Sequence, residues 1–253
     1  MKFIIFILLI TMHFTIFASE IIVCSFEDWR PWLITKGKND GEGILIDLLK
    51  HATEKTDYKL EIVILPFNRR NYFEWGKTVN AEPGCIPEWR EKFSDTSIYT
   101  IPLISTNNVI IAKKGHFKKQ NNELEDFYGK RIGTNLGYFY SDGFSEAFDY
   151  KLIFRDDSKE GSSILKKLNT YRVDCIIIDK YEAEYWIKYL DFDKNDFQTV
   201  YTFSTTSDLR VRLHKDIEHI LDTLNKGIKQ VIDSEDFQII LDKYLNWKLL
   251  IKS

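Results

Sequence analysis

Apolar and polar positions alternate in two rhythms along this 253-residue chain. Short apolar runs with strand spacing cover Glu20–Ser25, Leu60–Leu65 and the stretch near Ala81. Between them Leu45, Leu48, Leu49 and Ala52 recur at helical spacing, and Phe67–Trp75 reads as a second helix. This βαβαβ order implies a parallel sheet covered on both faces. A second block repeats the theme. Asn108–Ala112, Lys130–Thr134, Lys151–Phe154 and Thr199–Phe203 read as strands, and the continuous apolar run Val173–Ile178 reads as a strand buried on both faces. Helices are expected over Ser141–Phe148, around Ile164, Leu165 and Leu168, and around Ala183, Trp186, Ile187 and Leu190. After a strand at Leu209–Leu213 come two helices, carrying Ile217 to Val231 and Phe237 to Leu245, with no strand behind them. Such helices need a sheet already built, so the chain is expected to return to its first block. Two connections between two α/β lobes make a hinge with a cleft.

The start of the chain stands outside this pattern. Lys2 precedes an apolar run from Phe3 to Phe17, and Ala18-Ser19 offers a small-residue cleavage point, the order of a secretory signal peptide. The run is short of the roughly 20 residues that span a bilayer. A cleaved signal near Ala18 and an exported, periplasmic protein are therefore expected, against the alternative of an uncleaved anchor. Net charge is −3 with both signs interspersed and no basic block, which argues against nucleic acid as a partner. With 18 Phe, 13 Tyr and 6 Trp, the chain has the flat side chains to line a cleft. Cys24 and Cys85 each end a strand in the same block and could be neighbours, but buried free thiols are the expectation. The five histidines are scattered without cysteine partners, so neither a metal nor any other cofactor is expected.

One segment concentrates the chemistry. In Asn80–Ser94 a short strand ends at Pro83-Gly84, and Arg90 follows where the loop leaves the sheet. A guanidinium there is a fixed fork of donors, always charged, shaped for a carboxylate. Glu82, Trp29, Trp32 and Tyr138 are further candidates for the cleft, as is Arg69, which with Arg70 opens a helix at an odd place for cations.

Four motifs in order resemble the amino-acid-binding family of periplasmic solute-binding proteins that serve ABC uptake systems. They are Gly41-Glu42-Gly43 with Ile46-Asp47-Leu48-Leu49; Pro87-Glu88-Trp89-Arg90 with Phe93-Ser94; Leu124 to Gly133; and Leu168 to Asp179. The resemblance covers nearly all of the chain after residue 18. It implies the type 2 periplasmic-binding fold, with lobe 1 formed by 19–107 plus 206–253, lobe 2 by 108–205, and each lobe a mostly parallel sheet flanked by helices. It also implies a monomer that captures a small polar or zwitterionic, amino-acid-like solute, with a membrane permease as partner. In that frame Arg90 takes a ligand carboxylate and Asp179, at the end of a second-lobe strand, takes an ammonium group. The Gly137-Tyr138 turn would open a helix whose free N–H groups can bind an anion. The chain departs from the pattern at Pro87, where the family has threonine, at Tyr138, where it has serine or threonine, and at Pro83 in the pocket wall. Two other readings stay open: a cyclohexadienyl-dehydratase-like enzyme, for which Glu82 is the extra carboxylate, and a ligand-sensing protein acting on a membrane receptor.

Overall fold

The computed structural model describes residues 21–36, 40–54, 56–117 and 123–245. The proposed signal segment lies outside them. The strands are β1 (Ile21–Cys24), β2 (Ile34–Thr35), β3 (Gly41–Glu42), β4 (Lys59–Ile62), β5 (Ala81–Cys85), β6 (Ser97–Tyr99), β7 (Ile104–Lys113), β8 (Arg131–Asn135), β9 (Phe154–Ser158), β10 (Cys175–Asp179) and β11 (Phe197–His214). The helices are α1 (Ile44–Glu54), α2 (Phe144–Asp149), α3 (Gly161–Asn169), α4 (Lys180–Tyr189), α5 (Leu221–Ile232) and α6 (Glu235–Tyr244).

Two halves meet on a pair of long strands. In the first half β4 and β5 flank β1 in parallel; in the second, β10, β8 and β9 run parallel. The strands β7 and β11 are antiparallel to each other and join the halves, so the order β4-β1-β5-β11-β7-β10-β8-β9 is one continuous sheet. β11 pairs with β5 through Arg210–Leu213 and with β7 through Phe197–Leu209, while β10 lies antiparallel to β7. The crossing itself is the short ribbon Ile104–Asn107 against Thr206–Leu209.

The tail helices pack on α1 of the first half. α5 lies so close on α1 that a Cβ at Gly227 would stand 2.4 Å from the Ala52 carbonyl oxygen. On α6, the Tyr244 hydroxyl donates to Asp47 at 2.7 Å and accepts from the Gly43 amide at 3.0 Å. One apolar cluster runs from Ile22 and Leu45 through Ile111 to Ile164 and Trp186, spanning both halves. A second cluster around Phe127, Phe144 and Phe203 fills the outer face of the second half.

Where the hydrophobic pattern misplaces an element, polarity is the cause. β9 lies at Phe154–Ser158 rather than Lys151–Phe154, because its sequence Phe-Arg-Asp-Asp-Ser sits at the sheet edge and carries no apolar signal. Lys151 instead turns at φ 58°. The strands expected at Thr199–Phe203 and Leu209–Leu213 are one strand, with the polar ribbon Ser204–Asp208 between them. Phe67–Trp75 contains a π-helical turn, Arg69–Glu74. Ile217 and Ile220 fall in a 3-10 segment before α5. Cys24, Cys85 and Cys175 are buried free thiols, and no helix among the described residues is long and apolar enough to cross a membrane.

Candidate functional site

The parallel strands of both halves point their carboxyl ends at one cleft of about 700 Å³. Open α/β sheets bind ligands in that position. After β1 the loop supplies Phe26, Trp29 and Arg30; β5 itself supplies Glu82, Pro83 and Gly84, and the segment behind it Trp89 and Arg90. The opposite wall holds Asn135 at the end of β8, Tyr138 behind it, Lys159 to Ser162 after β9, and Glu182, Trp186 and Tyr189 on α4.

Local sequence explains the first wall. Gly84 turns at φ 78°, and a Cβ there would lie 2.6 Å from Leu45 Cδ1, so only glycine lets β5 close over α1. Pro83 is accommodated because the ladder to β11 shifts register between Arg210 and Val211. Pro87 then starts a 3-10 segment, Pro87–Thr96, which is broken at Arg90 by φ −129° and ψ 25°. The break sends the guanidinium back across β5.

What Arg90 meets there is Glu82. Its Nε donates to Glu82 Oε2 at 3.1 Å and its Nη2 to Oε1 at 2.6 Å, a two-point pair. Arg70 Nη2 donates to the same Oε1 at 2.8 Å, and Arg212 Nη1 donates to Oε2 at 3.0 Å. Three guanidiniums thus surround one carboxylate, a local excess of two positive charges. Arg212 is fully buried, held by Ser97 and Asn71 and stacked 3.7 Å from the Trp75 ring centre. Arg90 stacks 4.8 Å from the Phe67 ring centre. Arg70 Nε and Arg212 Nη2 are buried without a hydrogen-bond partner. Burial pushes the Glu82 carboxyl up, but Arg90, Arg70 and Arg212 outweigh it and hold it below the ordinary carboxylate range. Burial opposes the charge on Arg90 as well, and Glu82 more than offsets it.

The second wall has a different carboxyl. Glu182 is buried, and its Oε1 accepts from Trp186 Nε1 at 3.3 Å. Burial, aided by the charge of Asp179, pushes its pKa up to about 8, so it is mostly protonated at neutral pH. It lies over the start of α3, where a Cβ on Gly161 would come within 2.1 Å of Oε1. The first amides of that helix, at Gly161 and Ser162, border the cleft.

The sequence candidates therefore separate. Arg90, Glu82, Trp29 and Tyr138 line the cleft. Trp32 does not: it is fully buried, 5.9 Å from the Trp29 ring and 5.2 Å from that of Tyr181, where it packs the two halves together. Arg69 is also outside, with a largely exposed side chain reaching Glu74 Oε1 at 3.4 Å; Arg70 is the inward member of the pair. Asp179 is buried beneath the wall rather than on it. Its Oδ1 accepts from the Tyr181 and Glu182 amides at 2.9 and 3.1 Å, capping α4, and its Oδ2 accepts from the Thr106 hydroxyl. Nor does Gly137-Tyr138 open a helix: α2 starts at Phe144, and α3 presents its amino end to the cleft instead. Sequence reasoning missed Arg212 and Glu182. Arg212 sits in a strand whose neighbours are apolar, and a lone arginine at such a position is the available signal. Glu182 gave none. Among the described residues no group of acids, histidines and cysteines could hold a metal ion.

No protein-family model matches the chain, and no curated protein matches it in sequence. Solved structures do match in shape. The second substrate-binding domain of a putative amino acid ABC transporter from Streptococcus pneumoniae superposes with a TM-score of 0.68 at 19% identity, covering 90% of this chain and all of that one. The chain has the type 2 periplasmic-binding fold. The second substrate-binding domain of Lactococcus lactis GlnP, in an open conformation, gives a TM-score of 0.69 at 16% identity over 90% of this chain and 96% of that one. A histidine kinase sensor domain with similarity to periplasmic binding proteins gives 0.65 at 14% identity, over 90% and 96%. At these identities the likeness carries the fold rather than a ligand.

Proposed function

We propose that this protein is an exported, non-catalytic solute-binding protein that captures a small carboxylate in the cleft and delivers it to an ABC-type permease. The observation that carries the reading is the three-arginine, one-glutamate cluster at the cleft floor. Its excess positive charge is buried, and buried charge is costly unless matched. A ligand carboxylate against the outward edge of Arg90 supplies the match, and the amides at the start of α3 complete it from the other side. The lobes divide near 107/108 and 205/206, and the ribbon Ile104–Asn107 with Thr206–Leu209 serves as the hinge. Closing two lobes about such a ribbon removes water from the cleft and strengthens every charge interaction in it.

A thermal-shift screen of small carboxylic acids, amino acids, polyamines and opines tests this. A bound acid at 100 times its Kd adds about 2.7 kcal/mol of stability. The expected hit is an acid whose shift disappears in Arg90→Ala. A ligand that binds equally well to that variant refutes the assignment. The kinase sensor domain of the same fold favours a second reading, in which the closed form is read by a membrane receptor. Copurification with a receptor in place of a permease decides for it. The dehydratase-like reading loses Glu82 as its acid, since that carboxylate is ionised and bonded by three arginines.

A further inference from the structure

From the aromatic walls and the placement of the acids, we infer that the ligand is a flat, aromatic carboxylate without an α-ammonium group. The inference rests on the reading of the cleft as a carboxylate site and adds the class of molecule. On the first wall Trp29 packs against Trp89 with ring centres 6.0 Å apart, backed by the buried Trp32. On the second wall Trp186 and Tyr189 lie 5.5 Å apart edge to face, backed by Tyr185. Trp29, Trp89, Trp186 and Tyr189 all border the cleft, so an aromatic plane entering from the arginine end has flat faces on both sides. Trp89 and Tyr138 are each 47% exposed, which leaves stacking area for a guest.

The second half of the inference comes from where the acids are spent. A zwitterion needs an anion within reach of its ammonium once its carboxylate is on Arg90. Both oxygens of Asp179 are occupied, and the residue lies beneath the wall. Both oxygens of Glu82 accept from guanidiniums. Asp28 is taken by Thr35 and Arg30, Glu27 caps the Phe67 amide through Oε1, and Glu160, the other acid bordering the cleft, accepts from the Ser162 hydroxyl at 3.4 Å and shares its stretch of the lining with Lys159 and Lys166. Glu182 lies against Trp186 over the amino end of α3, and no described cation pairs with it. A carboxyl held neutral there donates a hydrogen bond to a ligand oxygen, such as a 2-oxo group, and offers an ammonium little charge.

Calorimetric titration of the full chain with four probes tests the inference: phenylpyruvate, indole-3-pyruvate, L-phenylalanine and pyruvate. The expected result is that both aromatic 2-oxo acids bind at least tenfold more tightly than phenylalanine and pyruvate. Trp186→Ala and Tyr138→Ala should each weaken the aromatic acids on the order of tenfold, with folding checked by circular dichroism. Tyr138 is the safer site because it is half exposed. Tighter binding of phenylalanine than of phenylpyruvate overturns the exclusion of the ammonium. Equal binding of pyruvate and phenylpyruvate overturns the aromatic part while leaving the carboxylate site standing. No binding by any acid overturns both.

Discussion

Replacing Glu82 by glutamine tests the electrostatic centre of the site. The side chain is 5% exposed and accepts four hydrogen bonds, two from Arg90 and one each from Arg70 and Arg212. The side chains of Arg70 and Arg212 are 3% and 0% exposed, so neither can turn to solvent for compensation. Glutamine keeps the volume but removes the only charge that all three arginines share, and its NH2 faces donors. Breaking a buried pair by removing one partner costs about 3–5 kcal/mol. For a chain of this size that lowers the melting temperature by about 6–20 °C. The assay is a thermal melt by circular dichroism at pH 7 in low salt, repeated in sulfate, which should rescue the variant more than the wild type. The variant should also bind a small carboxylate more tightly, because Arg90 Nε and Nη2 are released from Glu82. The pH dependence has a fixed sign. The folded carboxyl is held below its ordinary value of 4.5, so its stabilisation is present above that pH and is lost as pH falls below it. Glu82→Gln should flatten that acid limb. A variant melting within about 2 °C of wild type, with an unchanged acid limb, would falsify the reasoning.

Glu182 should show the opposite slope. Its folded pKa is raised from 4.5 to about 8, so its contribution is complete below 4.5 and declines as pH rises towards 8, by about 1.4 kcal/mol per pH unit. Urea melts should find Glu182→Gln increasingly more stable than wild type across that window, and parallel curves would contradict the burial argument. Gly161→Ala places a methyl group 2.1 Å from Glu182 Oε1 and 2.6 Å from Trp186 Nε1. It should cost about 1–3 kcal/mol of stability, read by urea titration, and push both side chains into the cleft, weakening ligand binding. Arg69→Ala should change stability by no more than about 0.5 kcal/mol and leave affinity unaltered, since its side chain is 64% exposed and points away from the cleft.

The elements with strong apolar periodicity were legible without coordinates. Leu45, Leu48, Leu49 and Ala52 mark the buried face of α1, and Val173–Ile178 marks a strand buried on both sides. Polar strands were not. β9 and the middle of β11 carry the Arg, Asp, Ser and Thr of an edge and a connecting ribbon, where one face meets water. At the site, Arg90 was visible because a guanidinium after a Pro-Gly turn has few structural explanations. Its partner was not, because the sharing of Glu82 by Arg90, Arg70 and Arg212 depends on side-chain direction across four elements. Asp179 shows the limit of motif reasoning. The motif places it at a strand end facing the cleft, but the first amides of α4 and the Thr106 hydroxyl claim both its oxygens. Arg69 and Arg70 are adjacent in sequence, and only the π-helical turn decides which of them faces inward.

The proposed site stands on a ligand carboxylate held between Arg90 and the amino end of α3. A crystal structure of the protein with phenylpyruvate tests it most directly. The carboxylate is expected within about 2.7–3.1 Å of a guanidinium nitrogen of Arg90, with the ring between Trp29 or Trp89 and Trp186. A ligand bound outside the inter-lobe cleft, or one whose carboxylate turns away from Arg90, contradicts it.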